Sequence, residues 1–170
     1  LALALCDTFC QEKGLSFLRR EEILQAWEGV QWPGRLEVIS TQPLIILDGA
    51  HNPHAVAPLV ATMKERYGQL DKQVLFTCIQ TKAIEEMLEL WSGLEKSQLT
   101  LTTFEDSRAY SVRDMQEIAH QKGLPYQEWK VFLTHYLERK SQQSDLLLVT
   151  GSLYFLAQVR AFLIEEISRR

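Results

Sequence analysis

Short apolar runs alternate with longer amphipathic segments along most of this chain. Apolar runs bounded by turn residues are typical of buried strands, whereas apolar residues that recur every three or four positions are typical of helices. The pattern first predicts helices over 2–13 and 20–28, and then strands over 35–40, 44–47, 74–79, 99–104 and 146–150. Further helices are predicted over 53–67, 83–90, 112–122, 128–140 and 154–167, and each of these except the fourth follows a strand.

The alternation of strand and helix indicates the fold class. Strands with continuous apolar runs are what a parallel sheet needs when helices cover both of its faces. Right-handed crossovers then give a Rossmann-like, doubly wound α/β domain, with a mostly parallel sheet, helices on both faces and a short helical segment in front. In this architecture ligands bind outside the carboxyl ends of the strands, so the strand-to-helix loops are where chemistry is expected.

Two short predicted helices precede the α/β pattern. Gly14 and Gly29 end them, and a Trp-Pro-Gly cluster separates them from the first strand. The chain begins at Leu1, a non-initiator residue within a helical pattern, which indicates a fragment of a longer protein. We therefore expect residues 1–30 to be a helical tail and linker, and residues 31–170 to form the α/β domain.

Composition and charge narrow the function classes. The 170 residues include 18 Lys and Arg against 22 Asp and Glu, a net charge of −4 with neutral histidines. Nucleic-acid binding needs clustered positive charge, so we expect no nucleic-acid partner. No apolar run approaches the ~18 residues of a membrane span. Cys6, Cys10 and Cys78 are odd in number and lack zinc-finger spacing, so we expect reduced thiols in a cytoplasmic protein.

The loop after the second predicted strand carries the first candidate side chains. Asn52 and Pro53 have the types favoured at an N-cap and at the first helical position. Asp48 either ties down the turn or faces a ligand at the end of a buried strand. His51 either packs within the loop or carries protons beside an anion site at the helix N-terminus.

The loop before the last helix and one arginine complete the candidates. Gly151 permits a tight turn and a close ligand approach, and Ser152 either caps the final helix or contacts a ligand. Arg35 follows a Pro-Gly pair at the start of the first strand. Its fork of donors suits a phosphate, although a lone arginine is more often a solvated surface charge.

Other site types fit the sequence less well. The eight glycines contain no G-x-G-x-x-G, the usual dinucleotide fingerprint. Residues 29–36 have the glycine spacing of a phosphate-binding loop but lack its Lys and hydroxyl residue. Ser152 lacks the G-x-S-x-G elbow of a hydrolase, and His51 and His54 lack a third metal ligand nearby, so no metal site is predicted.

Three segments taken together resemble one family. They are WPGRLEVI at 32–39, LDGAHNP at 47–53 and VTGSLY at 149–154. In this order they resemble the carboxy-terminal domain of the folylpolyglutamate synthase/dihydrofolate synthase family, within the Mur ligase superfamily. Residues 1–29 also resemble the last helices of that family's amino-terminal ATPase domain, so the resemblance spans essentially the whole chain.

The resemblance implies a reaction and its partners. Family members use ATP to phosphorylate a carboxyl group of folate or dihydropteroate, and the amine of L-glutamate then attacks the acyl phosphate to form an amide. The phosphate-binding loop, the Mg²⁺ ligands and the folate pocket belong to the amino-terminal ATPase domain, which is thereby the expected partner of this lobe. We expect the fragment alone to be inactive.

The resemblance also implies roles for individual residues. Arg35 matches an arginine that reaches the ATP phosphates, and Asp48 and His51 match loop residues that contact the nucleotide and the reacting phosphate. Gly151 and Ser152 match a loop associated with activity and with placement of glutamate.

One segment departs from the family pattern. The family often has a segment like Asp-Lys-Asp at the end of the second strand of this domain, where this chain has Gln-Thr-Lys-Ala. Lys82 is the position that corresponds to the family's lysine, and the acids beside it are missing.

Two other functions stay open: a stand-alone nucleotide-binding module with a Rossmann-like fold, and an inactive regulatory paralogue.

Overall fold

The computed structural model describes residues 2–17, 19–28, 32–139 and 145–169. The chain divides into two compact units, Leu1–Trp32 and Pro33–Arg170. Among the described residues, no helix is both long enough and apolar enough to cross a membrane.

The first unit consists of two short helices, α1 (Ala2–Glu12) and α2 (Arg20–Glu28). Both predicted helices are confirmed to within one residue. Gly14 ends α1 in the left-handed conformation, with φ +65°, and the next N–H, that of Leu15, donates to the Cys10 carbonyl at 2.8 Å. The expected role of Gly29 lies outside the described residues.

A five-stranded sheet forms the centre of the second unit, with the order β1-β2-β5-β3-β4. Only β1 is antiparallel to its neighbour, and the other three pairings are parallel, which confirms the mostly parallel sheet. The strands are β1 (Glu37–Thr41), β2 (Leu44–Asp48), β3 (Asp71–Phe76), β4 (Ser97–Leu101) and β5 (Asp145–Thr150).

Strand β1 begins later than the predicted start at Arg35. Gly34 and Leu36 have φ values of +70° and +44°, in the left-handed region, so the extended conformation starts only at Glu37. Two residues connect β1 to β2, and a connection this short joins only antiparallel neighbours.

Helices cover both faces of the sheet, as predicted. Helices α3 to α5 pack on one face, where Val56, Met63 and Met87 join Phe76 in an apolar cluster. Helices α6 and α7 pack on the other face, where Phe155 lies among the buried residues. The helices are α3 (Pro53–Tyr67), α4 (Ile84–Ser92), α5 (Val112–Lys122), α6 (Trp129–Glu138) and α7 (Leu153–Ser168). The predicted end of α6 at Lys140 lies outside the described residues.

The strand order brings distant loops together. Strand β5 returns between β2 and β3, so that Thr150, at the end of β5, pairs with both Asp48 and Phe76. The loops that follow β2, β3 and β5 therefore emerge side by side at the carboxyl edge of the sheet, where doubly wound folds bind their ligands.

Candidate active site

The loops after β2 and β5 touch each other at the carboxyl edge. The Thr150 hydroxyl donates to the Ala50 carbonyl at 3.4 Å. A Cβ atom added to Gly49 would lie 2.5 Å from Leu153 Cδ2, so the first residue of α7 packs directly on the loop that carries His51. The structure thus brings together the two loops that the sequence singles out.

Asp48 is 9% exposed and ties this loop to the segment before β1. Its Oδ2 accepts a hydrogen bond from the Leu36 N–H and its Oδ1 one from the Ala50 N–H, both at 2.9 Å. Both carboxylate oxygens thus satisfy backbone donors. The Gly49 N–H reinforces the same junction by donating to the Gly34 carbonyl at 2.7 Å. These contacts favour the turn-holding interpretation of Asp48.

Arg35 is exposed and lies over this junction. A Cβ atom on Gly49 would lie 2.5 Å from Arg35 Nη1, so the guanidinium group occupies the space that a side chain at position 49 would need. Among the described residues, no carboxylate forms an ion pair with Arg35. Its positive charge is therefore available to an anion at the carboxyl edge.

His51 is half-buried and its ring is oriented by one hydrogen bond. Nδ1 lies 2.8 Å from the Gly49 carbonyl oxygen. Because a carbonyl only accepts, Nδ1 carries the proton, and Nε2 is the atom left for a ligand. The ring stands just before α3, where the Asn52 side chain accepts from the Ala55 N–H at 2.9 Å. The N-cap interpretation of Asn52 and Pro53 is confirmed.

Gly151 lies against the end of β3. Its φ is +124°, and a Cβ atom there would lie 1.6 Å from the Thr77 carbonyl oxygen. Ser152 is 6% exposed and occupies the N-cap position of α7, yet its side chain makes no cap hydrogen bond. Of the two alternatives for Ser152, the N-cap position is confirmed but the hydroxyl does not cap the helix, so contact with a ligand stays a prediction.

Two residues that sequence reasoning missed hold the same region. Glu37 accepts from the Gly34 N–H at 2.9 Å through Oε2, and from Arg160 Nε at 2.8 Å through Oε1. This pair joins α7 to the segment that carries Arg35. No local signal could find this pair, because Glu37 and Arg160 are 123 positions apart.

Lys82, in the segment that departs from the family pattern, lies in the loop between β3 and α4. Its backbone N–H donates to the Ile79 carbonyl.

The remaining titratable groups near this edge do not form a second centre. Burial raises the pKa of the Cys78 thiol to about 12, so it is protonated at neutral pH and is no nucleophile. His54 is exposed in the first turn of α3. Within the described part of the chain, no three His, Cys, Asp or Glu side chains converge in a way that would hold a metal ion.

The Asp48 contacts predict a stability effect. Asp48→Ala leaves the N–H groups of Leu36 and Ala50 without an acceptor, which we expect to lower the free energy of unfolding by about 2 kcal/mol. Asp48→Asn keeps one acceptor oxygen and should lose roughly half as much. Urea unfolding of the two variants measures both values. Losses below ~0.5 kcal/mol would show that the carboxylate does not hold the junction.

Two curated relatives share sequence with most of the chain. A dihydrofolate synthase/folylpolyglutamate synthase of Bacillus subtilis is 26% identical over 156 residues, which are 92% of this chain and 36% of the relative. A probable bifunctional folylpolyglutamate synthase/dihydropteroate synthase of Haloferax volcanii is 31% identical over 144 residues, which are 82% of this chain and 17% of the relative.

Solved structures share the fold. A bifunctional folylpolyglutamate synthase/dihydrofolate synthase of Yersinia pestis, complexed with AMPPNP and a Mn ion, has a TM-score of 0.73 and 27% identity. The match covers 87% of this chain and 35% of that one. Another structure of a bifunctional folylpolyglutamate synthase/dihydrofolate synthase, with Mn, AMPPNP and L-glutamate bound, has a TM-score of 0.71 and 27% identity over 87% of this chain and 36% of the other. This chain thus spans about a third of the length of the Bacillus and Yersinia proteins.

The family comparison covers the α/β domain. The model of the family described as "Mur ligase, glutamate ligase domain" matches residues 34–153, which include Arg35, the whole sheet and the start of α7. The segments that carry the resemblance fall almost entirely within this match. The chain therefore belongs to the Mur ligase family, as a glutamate ligase domain.

Proposed function

We propose that this chain is the carboxy-terminal lobe of an ATP-dependent ligase that adds L-glutamate to folate or dihydropteroate, a folylpolyglutamate/dihydrofolate synthase. The observation that carries the proposal is the carboxyl edge, where Arg35, which has no ion pair among the described residues, and an oriented histidine adjoin the Gly151–Ser152 loop. The relatives support the substrate class, because similar proteins are folylpolyglutamate synthases and one structure holds AMPPNP and L-glutamate.

The proposed reaction has two steps. A carboxylate oxygen of the folate attacks the γ-phosphorus of ATP, ADP leaves, and an acyl phosphate forms. The glutamate nitrogen then attacks the acyl carbon, phosphate leaves, and the amine loses a proton. Positive groups stabilise the charge that moves on to the phosphate oxygens, and exclusion of water protects the acyl phosphate from hydrolysis.

The residues at the carboxyl edge have distinct roles in this proposal. Arg35 contacts the ATP phosphates. His51 Nε2 accepts the proton of the incoming amine when the ring is neutral, or donates to a phosphate oxygen when the ring carries a proton on both nitrogens. Asp48, assigned to the catalytic and nucleotide-contacting set by the resemblance, acts by holding this loop through the Leu36 and Ala50 amides. Gly151 and Ser152 place the glutamate.

The rest of the site belongs to a second lobe in this proposal. Residues 1–30 form the helical tail of an amino-terminal ATPase domain and its linker, and residues 31–170 form the present lobe. The phosphate-binding loop and the ligands of Mg²⁺ lie in the ATPase domain. Because this chain spans about a third of its relatives, the remainder has room for that domain. The enzyme works in the cytoplasm, where ATP and reduced folates are available.

A ligation assay tests the function. The longer protein that contains this chain should release ADP and form a glutamylated product only when ATP, L-glutamate and a folate are all present. Dihydropteroate and tetrahydrofolate, offered separately, identify the acceptor. The isolated chain should show no turnover, because it lacks the ATP-binding loop.

Two results would overturn parts of this proposal. Turnover by the isolated chain at an ordinary enzymatic rate, about 1 s⁻¹ or more, contradicts the two-lobe account. ATP binding without ligation by the longer protein, with either acceptor, favours a nucleotide-binding module or an inactive paralogue instead.

A further inference from the structure

A cluster of three side chains lies beside the Gly151–Ser152 loop. Arg108 Nε lies 2.8 Å from Asp106 Oδ1, and Arg108 Nη2 lies 2.7 Å from Asp106 Oδ2, so the two groups form a bidentate pair. The guanidinium carbon of Arg108 also lies 4.2 Å from the centroid of the Tyr154 ring. Tyr154 is 59% exposed, so its side chain lies largely in solvent, and Arg108 packs over its ring.

The cluster connects two elements that are far apart in the sequence. Asp106 and Arg108 belong to the loop between β4 and α5, whereas Tyr154 lies in the first turn of α7, two residues after Ser152. A second contact follows the same route, because Gln158 Nε2 donates to the Glu105 carbonyl at 3.1 Å. The start of α7 is thus attached on this side to the β4–α5 loop.

The other side of α7 is attached to the segment that carries Arg35. Leu153 packs over Gly49, and Arg160 pairs with Glu37 at 2.8 Å. The first turn of α7, with Ser152 at its N-cap, is therefore held between two loops. The Leu156 N–H donates to the Ser152 carbonyl at 2.9 Å, so Ser152 is joined to this first turn through its backbone and not through its hydroxyl.

The arrangement of Arg108 differs from that of an ordinary surface ion pair. Exposed ion pairs contribute little to the free energy of unfolding. A contribution to stability therefore does not explain why Arg108 forms both the bidentate pair and the contact with the Tyr154 ring. Asp106 Oδ1 also accepts a hydrogen bond from the Arg108 backbone N–H at 2.9 Å, which closes a turn over residues 106–108. Arg108 holds the pKa of the Asp106 carboxyl at about 2, so the pair stays charged at every pH at which a cytoplasmic enzyme works.

We propose that Arg108, fixed by Asp106 and stacked on Tyr154, is a positioning residue that sets the place of the Gly151–Ser152 loop for binding of L-glutamate. The inference rests on the proposed function and adds to it Arg108 and Asp106, which lie outside the three motif segments. A planar guanidinium group is needed, because it can chelate a carboxylate and cover a ring at once, which a lysine ammonium group cannot do.

Amide hydrogen exchange of this chain tests the positioning directly. Arg108→Lys should make the amides of Gly151 and Ser152 exchange about threefold faster, the factor expected for loss of an exposed cation–π contact. Arg169→Lys is the matched control, because Arg169 pairs with Glu165 and Glu166 at the far end of the same helix. Equal exchange in the two variants would overturn the proposal, whatever reaction the longer protein catalyses.

Steady-state kinetics of the longer protein test the consequence. Arg108→Lys and Tyr154→Leu should each raise KM for glutamate about threefold, with kcat and KM for ATP unchanged. Tyr154→Phe retains the ring and should bring KM back from the value of Tyr154→Leu. The double variant should be no worse than either single one, because both remove the same contact.

The outcomes separate this inference from the proposed function. If the wild-type protein ligates glutamate and the single variants leave KM unchanged, or if their effects add, the positioning role is wrong. If the wild-type protein does not ligate, the proposed function is wrong, while the exchange experiment still decides whether Arg108 positions the loop.

Discussion

Gly151→Ala is expected to destabilise this chain by about 4 kcal/mol, which is a large loss for a single methyl group. Two causes act together: the backbone has a φ of +124°, and the new Cβ would lie 1.6 Å from the Thr77 carbonyl oxygen. The clash could be relieved only if the ends of β3 and β5 separated. That separation would break the hydrogen bond from the Thr77 N–H to the Thr150 carbonyl, which is 3.3 Å long. Urea unfolding followed by circular dichroism measures the loss.

Gly123→Ala is the matched control for this prediction. Gly123 ends α5 with a φ of +63°, and a Cβ atom there meets nothing within 4 Å. Only the conformational cost of the left-handed region remains, about 1 kcal/mol. Similar losses in the two variants would show that the close approach of Thr77 to Gly151 does not exist in solution.

His51→Ala is expected to lower kcat of the longer protein in the proposed ligation about 100-fold while leaving the fold intact. The Gly49 carbonyl orients the ring through Nδ1 and leaves Nε2 for a ligand, so the variant removes a positioned donor or base. The N-cap of α3 survives, because Asn52 provides it. Turnover and thermal unfolding of the same preparation separate the two effects.

Two further variants sharpen the His51 prediction. His54→Ala removes an exposed histidine from the first turn of α3 and should leave kcat within about twofold. His51→Gln can donate a hydrogen bond but cannot take up a proton, so retained activity identifies a phosphate donor and lost activity a base. If His51→Ala behaves like His54→Ala, the catalytic assignment of His51 is wrong.

Local signals predicted the helices well. Helices α3 and α5 have the predicted bounds, because Asn52 and Ser111 cap their first turns and Gly123 ends α5. These signals act within one or two turns of the chain, so a single sequence reveals them. The mostly parallel sheet also followed from local evidence, since continuous apolar runs mark strands that are covered on both faces.

Strand bounds were less accurate, and at the start of β3 the reason is a charged residue that is buried there. Strand β3 begins at Asp71 rather than Val74, and Lys72, its second residue, is 2% exposed. The Lys72 ammonium group donates to the carbonyls of Leu70 and Glu95 at 2.7 and 3.2 Å. Burial lowers the pKa of Lys72. Nothing in the neighbouring sequence predicts that a lysine is buried at this position.

The α/β class, the positions of the helices, the family and the two loops in which chemistry is expected all follow from the sequence alone. The contacts of those loops became known from the three-dimensional fold. The hydrogen bond from Thr150 to Ala50, the approach of Gly151 to Thr77 and the stack of Arg108 on Tyr154 join residues from different strand-helix units. Such contacts depend on strand order, which places β5 between β2 and β3, and strand order leaves no periodic trace in the sequence.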